Sequence, residues 1–172
     1  MIARRFALLS VVLIGVLSLT THAACDTALL VIDVQEHFLS WGSWSTSAGE
    51  DLLDAVVRVL SLALPRRDRV FPKYSGDAFT TPEFAAYVDA QGFRRLLVCG
   101  LASAGCVSST LFSAVDKGYE VTAVADAHSN GPPNSVTGAA SWPAANVNDY
   151  WIRRGITVVP TAEIDWTPCA TE

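Results

Sequence analysis

Three side chains able to do acyl-transfer chemistry stand at informative places in this chain. Cys106 lies in CGLASAGCVSSTLFSAVDKG, where an apolar strand runs through a small-residue loop into a segment with helical spacing. A thiol at the start of a helix meets free backbone N–H groups and the positive end of the helix dipole, so its thiolate is favoured and its pKa is expected to fall. The same N–H groups can hold an oxyanion. Taken alone, one Cys before a helix more often means inert packing than catalysis. Asp33 ends the buried run in ALLVIDVQEHF, where a carboxylate without a cation or donor carries a large desolvation cost. Lys73, one of two lysines in the chain, follows a short apolar piece in VFPKYSGDAF and can reach the same strand end. The acid and the amine form either a simple ion pair or, with Cys106, a catalytic group.

Apolar runs at 28–32, 96–99, 119–125 and 156–159 predict buried strands, the last two being β-branched and bounded by Gly, Asp or Pro. Helical spacing joins Leu52, Leu53, Val56, Val57, Leu60 and Leu64 within a helix expected over 48–64, and Val107, Leu111, Ala114 and Val115 in another. Gly118 after Lys117 reads as a helix C-terminal cap, TTPEF puts Thr81 at an N-cap with Pro82 behind it, and a last helix is expected over 144–153. Strands alternating with helices imply right-handed crossovers. The expected fold class is α/β, a three-layer α/β/α sandwich with a mainly parallel sheet. Ligands of such sheets bind at the carboxyl ends of the strands, where Asp33 and the loop after Gly100 both fall.

Of 172 residues, 51% are hydrophobic and 17% charged, which supports one packed domain and argues against disorder. With 12 basic against 17 acidic side chains the net charge is -5, so nucleic acid and anionic membranes are not expected partners. The N-terminus has its own character. Arg4 and Arg5 precede the apolar stretch FALLSVVLIGVLSL, shorter than the roughly 20 residues that cross a bilayer, and Thr21-His22-Ala23 supplies a small-residue cleavage site. Residues 1–23 are therefore expected to be a secretory signal peptide, leaving 24–172 as a secreted or periplasmic domain free of the membrane. An uncleaved anchor is the alternative. Export permits disulfides, and Cys25 with Cys169, beside the two mature termini, is the expected pair. Cys99, inside RRLLVCG, is expected to behave as a small buried hydrophobe.

The three chemistry-bearing segments, in this order, resemble the isochorismatase-like cysteine hydrolases. The marks are Asp33, Gln35 and Phe38 in a D-x-Q-x-x-F pattern; Lys73 ahead of Asp77, Ala78 and Phe79; and Gly100 to Val107 ending in Cys-Val, followed by GYEVTAVADA. The resemblance runs over about 28–164. It implies Cys106 as nucleophile, Asp33 as the base that takes its proton, and Lys73 as the cation that orients Asp33 and stabilises the thiolate. It also implies an oxyanion hole from the backbone N–H groups of Ala102 and Cys106, with a cis peptide at Leu101–Ala102. A self-associating chain is expected from the family's habit. The interval between Asp33 and Lys73 is abridged, leaving room for a stub of strand around 69–71, so the second strand of the sheet is expected to be shortened or missing.

No cofactor or metal site is expected, because the Asp and two His of the nicotinamidase branch have only His37 in this interval. His128, in ADAHSNG, reads as a solvent-exposed loop histidine. A small-molecule substrate would meet Gln35, Phe38, Trp41 and Trp44, whereas Phe79 is expected to pack in the core. The expected function is hydrolysis of a non-peptide C–N bond in a small amide, ureide or carbamoyl compound through a Cys106 thioester. Two alternatives are a binding or scaffold protein whose triad has been lost, and vinyl-ether hydrolysis of the isochorismatase type, which the presence of Cys106 disfavours.

Overall fold

The computed structural model describes residues 10–16, 26–35, 56, 69–130 and 142–164. Six strands form one sheet in the order β3-β1-β2-β4-β5-β6. They are β1 (Ser10–Val16), β2 (Thr27–Ile32), β3 (Arg69–Lys73), β4 (Arg95–Leu101), β5 (Glu120–Ser129) and β6 (Thr157–Val159). Among the described residues, three helices of nine or ten residues accompany them: α1 (Pro82–Gln91), α2 (Ser108–Asp116) and α3 (Ala144–Arg153). Strands β2, β4, β5 and β6 pair in parallel, whereas β1 runs antiparallel to both β2 and β3.

The four parallel strands are where the apolar runs predicted them. Parallel strands are covered on both faces, so their side chains need not alternate with polar ones. Ala28, Leu30 and Ile32 of β2 join Leu96 and Val98 under Phe84, Leu111, Ala114, Val147 and Trp151 of the three helices. Leu29 and Val31 point to the other face, into a cluster with Val56, Cys99, Leu101, Val124 and Ala127. Val56, the described residue of the helix expected over 48–64, is helical and buried. Among the described residues no helix is long and apolar enough to cross a membrane.

Local signals set the helix ends. Pro82 opens α1 behind Thr81, which sits at the N-cap without a side-chain capping bond. The chain leaves α2 through Lys117 into Gly118 at φ 87°, a left-handed turn that glycine adopts without a Cβ penalty. Helix α3 buries Val147 and Trp151, four residues apart on one face.

The sheet departs from expectation on its β3 flank. The predicted stub is a full strand reaching Lys73, and the slot between it and β2 is filled by β1, drawn from the stretch read as a secretory leader. Val12 pairs with Ile32 on one side and Phe71 on the other. The physical reason is that a short β-branched run such as SVVLIGV suits a central strand as well as an export signal, and periodicity cannot separate the two.

Candidate active site

Asp33 follows the last residue of β2 with φ at 51°. This is the left-handed region that few residues other than Gly visit, with Asp and Asn the commonest exceptions. Here it turns the carboxylate over the end of the sheet. The position depends on Gly100, level with Ile32 in the parallel β2–β4 pair. A Cβ at Gly100, whose φ is 118°, would lie 2.1 Å from the Ile32 carbonyl oxygen, so a side chain there would push away the strand that carries Asp33.

Lys73, the last residue of β3, donates from Nζ to Asp33 Oδ2 at 2.7 Å and to the Ser75 carbonyl at 2.8 Å. Both members of this ion pair are almost wholly buried. A buried pair offsets its desolvation only when its remaining polar atoms are also satisfied. Lys73 has two acceptors, whereas Asp33 Oδ1 is buried with no hydrogen-bond partner among the described residues. The chain beyond Lys73 is anchored separately: Asp77 accepts from the Phe79 N–H at 2.8 Å, and the Ala78 N–H donates to Thr110 Oγ1 of α2 at 3.1 Å. Phe79 is buried, stacked on Tyr119 and edge-on to Phe84, the packing role expected of it.

Cys106 completes the group. It lies in a wide π-like turn, Ser103–Val107, two residues before α2 begins at Ser108, close to the helix start read from the sequence. The expected fall in its pKa is corrected. Burial is the largest influence and pushes the thiol up; the Asp33 carboxylate, a nearby acceptor and a like charge to the thiolate, pushes it further, and Lys73 opposes both. Burial and the carboxylate together outweigh the lysine, since both disfavour a negative charge on the sulfur. The resting arrangement is a thiol with an acceptor beside it. Cys99 is fully buried and its thiol is pushed up to about 12, so it is the inert hydrophobe expected.

The loop before Cys106 begins with a cis peptide, Leu101–Ala102. The Ala102 carbonyl accepts from the N–H groups of Gly105 and Val107, and the Ala104 N–H is taken by Asn130 Oδ1. Among the described residues, the N–H groups of Ala102 and Cys106 meet no acceptor outside their own elements. These are the two donors expected to form the oxyanion hole. Gln35 is half-buried, two residues after Asp33. Phe38, Trp41, Trp44, His37, Cys25 and Cys169 lie outside the described residues, as does most of 48–64. No group of three metal-ligating side chains occurs among the described residues.

His128 is a further correction. It is not exposed: only 5% of its surface is accessible. Strand β5 runs on to Ser129 and carries it inward against Trp151, with ring centroids 4.5 Å apart. The polar cluster HSN after an apolar strand looked like a loop because its partners, Ser103 and Asn148, come from distant segments. The spacing of His128 and Asn130, two residues apart at a strand end, was the available signal.

Comparison with known proteins gives a consistent picture. The family model described as the isochorismatase domain matches residues 60–145. A streptothricin hydrolase from Streptomyces noursei is 37% identical over 62 residues, covering 36% of this chain and 22% of that protein. The match therefore spans about a fifth of that relative's length. A cysteine hydrolase from Pseudomonas syringae pv. phaseolicola 1448A superposes with a TM-score of 0.70 at 17% identity, over 86% of this chain and 94% of that one. The N-carbamoylsarcosine amidase from Thermoplasma acidophilum does so with a TM-score of 0.56 at 17% identity, over 75% and 93%. At these identities the two structures bear on the fold.

Proposed function

The chain belongs to the isochorismatase family, and from that premise we propose that it is a cysteine hydrolase cleaving a non-peptide C–N bond in a small amide, ureide or carbamoyl compound. One observation carries the reading. The Asp33–Lys73 pair is buried and joined at 2.7 Å, yet among the described residues one carboxylate oxygen has no hydrogen-bond partner, and the same carboxylate acts on the Cys106 thiol. A structural ion pair gains nothing from an orphaned oxygen, whereas a general base needs one. The hydrolase and amidase names among the relatives support the same reaction class.

In the proposed cycle Cys106 gives its proton to Asp33 Oδ1 as sulfur attacks the substrate carbonyl carbon. The oxyanion meets the N–H groups of Ala102 and Cys106. The C–N bond breaks, Asp33 returns the proton to the departing nitrogen, and a thioester remains. Water, deprotonated by Asp33, then attacks the thioester; sulfur leaves and recovers its proton. Lys73 keeps Asp33 oriented throughout and favours the thiolate, the sense in which it acts on the thiol here. Gln35, Phe38, Trp41 and Trp44 are proposed to bind the substrate, with no cofactor required.

Residues 1–23 are proposed as an export leader taking the enzyme to the periplasm or medium, where self-association is expected. Cleavage after Ala23 would remove β1. Because β1 is antiparallel to both neighbours, β2 and β3 run in the same direction, and β3 can then close onto the freed edge of β2.

The test is ammonia release from a panel of small amides, ureides and carbamoyl compounds, with native protein and Cys106→Ser. Turnover by the native chain and none by the variant is the expected result. Turnover surviving in Cys106→Ser, or absent from the native chain across the panel, overturns the reading.

A further inference from the structure

We propose that His128 and Asn130, at the carboxyl end of β5, are positioning residues that hold the oxyanion loop between Ala102 and Cys106. The inference rests on the hydrolase reading and extends it to groups that do not touch the substrate.

The hydrogen-bond directions of this network can be worked out from its ends. Asn148 of α3 donates from Nδ2 to the Ala125 carbonyl at 3.0 Å, so the atom it turns to His128 is its carbonyl Oδ1. His128 Nε2 therefore carries the proton and donates to it at 2.7 Å. That leaves Nδ1 bare, to accept from the Ser103 hydroxyl at 2.7 Å. Burial, the largest influence on the ring, lowers its pKa and favours this neutral form. From the other end, Trp151 Nε1 donates to Ser108 Oγ at 2.8 Å, and Ser108 Oγ donates to the Ser103 carbonyl at 2.6 Å.

Ser103 is thus held by both its hydroxyl and its carbonyl. The next residue is held as well: the Ala104 N–H donates to Asn130 Oδ1 at 2.7 Å, and Asn130 Nδ2 donates to the Trp142 carbonyl at 2.9 Å. His128 lies near the end of β5 and Asn130 is the first residue beyond it. They grip consecutive residues of the loop that joins the two oxyanion N–H groups. A donor is effective only when it is fixed before charge develops, and a small misplacement costs turnover more than it costs substrate affinity.

Asn130→Ala, Asn130→Asp and Ser103→Ala test the proposal, with folding checked by circular dichroism and melting temperature. Asn130→Asp keeps the acceptor for the Ala104 N–H, and Ser103→Ala breaks the link to His128 without emptying the core. Asn130→Ala and Ser103→Ala are expected to lower kcat by roughly 10- to 100-fold with KM changed less than about threefold. Asn130→Asp should recover most of that loss. Amide exchange at Ala104, read by NMR, should quicken in Asn130→Ala and slow again in Asn130→Asp. Folded variants with native kcat, or Ala104 exchange indifferent to Asn130, overturn the proposal. A native chain inactive toward every amide would instead sink the hydrolase reading, and the exchange measurement would still decide whether Asn130 holds the loop.

Discussion

The two sides of the sheet hold their functional side chains by different means. On the parallel side, β2, β4 and β5 pair directly, and Asp33, the Cys106 turn and His128 all sit at their carboxyl ends. Backbone contact there is close enough that Gly100 has no room for a methyl group. On the flank, Lys73 comes from an edge strand that reaches the rest of the sheet through β1. It is also tied down beyond its own strand, where Ala78 bonds to Thr110 of α2, the helix that follows Cys106. The parallel side owes its geometry to one rigid ladder, whereas the flank relies on a strand pairing and a separate anchor.

The largest expected effects fall on the parallel side. Asn at position 33 cannot take the thiol proton, and Asp33→Asn is expected to reduce turnover by about 10³-fold or more. The same change removes two influences that push the Cys106 thiol up while leaving Lys73 to lower it. Alkylation of Cys106 by iodoacetamide at neutral pH should therefore become faster as turnover collapses, with Cys99 unlabelled. Slower alkylation would mean that Asp33 does not act on the sulfur.

Paired glycine substitutions sharpen the contrast. Gly100→Ala forces its Cβ into the backbone of Ile32 and should destabilise the protein by about 4 kcal/mol or more, read by urea denaturation. Gly76→Ala, beside Lys73, meets its nearest atom, Ser109 Oγ, at 3.4 Å and should change stability by less than about 1 kcal/mol. Similar costs at both positions would erase the distinction between the two sides.

A chain beginning at Ala24 examines the flank itself. With the Ala78–Thr110 anchor intact and β3 free to pair with β2, turnover should stay within about tenfold of the full chain, equivalent to about 1.4 kcal/mol. Hydrogen exchange should show β3 amides still protected. Turnover collapsing in that chain would make β1 part of the working enzyme and would contradict leader removal.

The smallest effect concerns pH. The folded pKa of His128 is depressed below its ordinary 6.5 by burial, so the unfolded chain takes up the proton first as pH falls. Its contribution to stability is complete above pH 6.5 and is lost below it, at no more than about 1.4 kcal/mol per pH unit. Denaturation midpoints between pH 7.5 and 5 should show this slope in the native chain and lose it in His128→Gln.

Much of this was legible in the sequence. The parallel strands could be read from continuous apolar runs, α1 from Thr81-Pro82, α2 and α3 from spacing, Asp33 and Lys73 from their places after apolar runs, and Cys106 from its loop ahead of a helix. Such signals are local: each needs only a few neighbouring residues and the period of one element. The segment read as a leader shows where local reading stops, since SVVLIGV has the apolar, β-branched character that suits an export signal and a sheet alike.

Tertiary structure alone decided three things. It set the direction of the Cys106 pKa, because burial and a carboxylate from far along the chain outweigh the opposing pull of Lys73. It turned His128 from a surface residue into a buried brace, because Ser103 and Asn148 are 25 and 20 positions away. It also brought Lys73 onto Asp33 across 40 positions despite the shortened interval. Residue type and spacing determine which chemistry the chain can attempt. Which charges face one another, and in how little water, depends on long-range packing that no local pattern encodes.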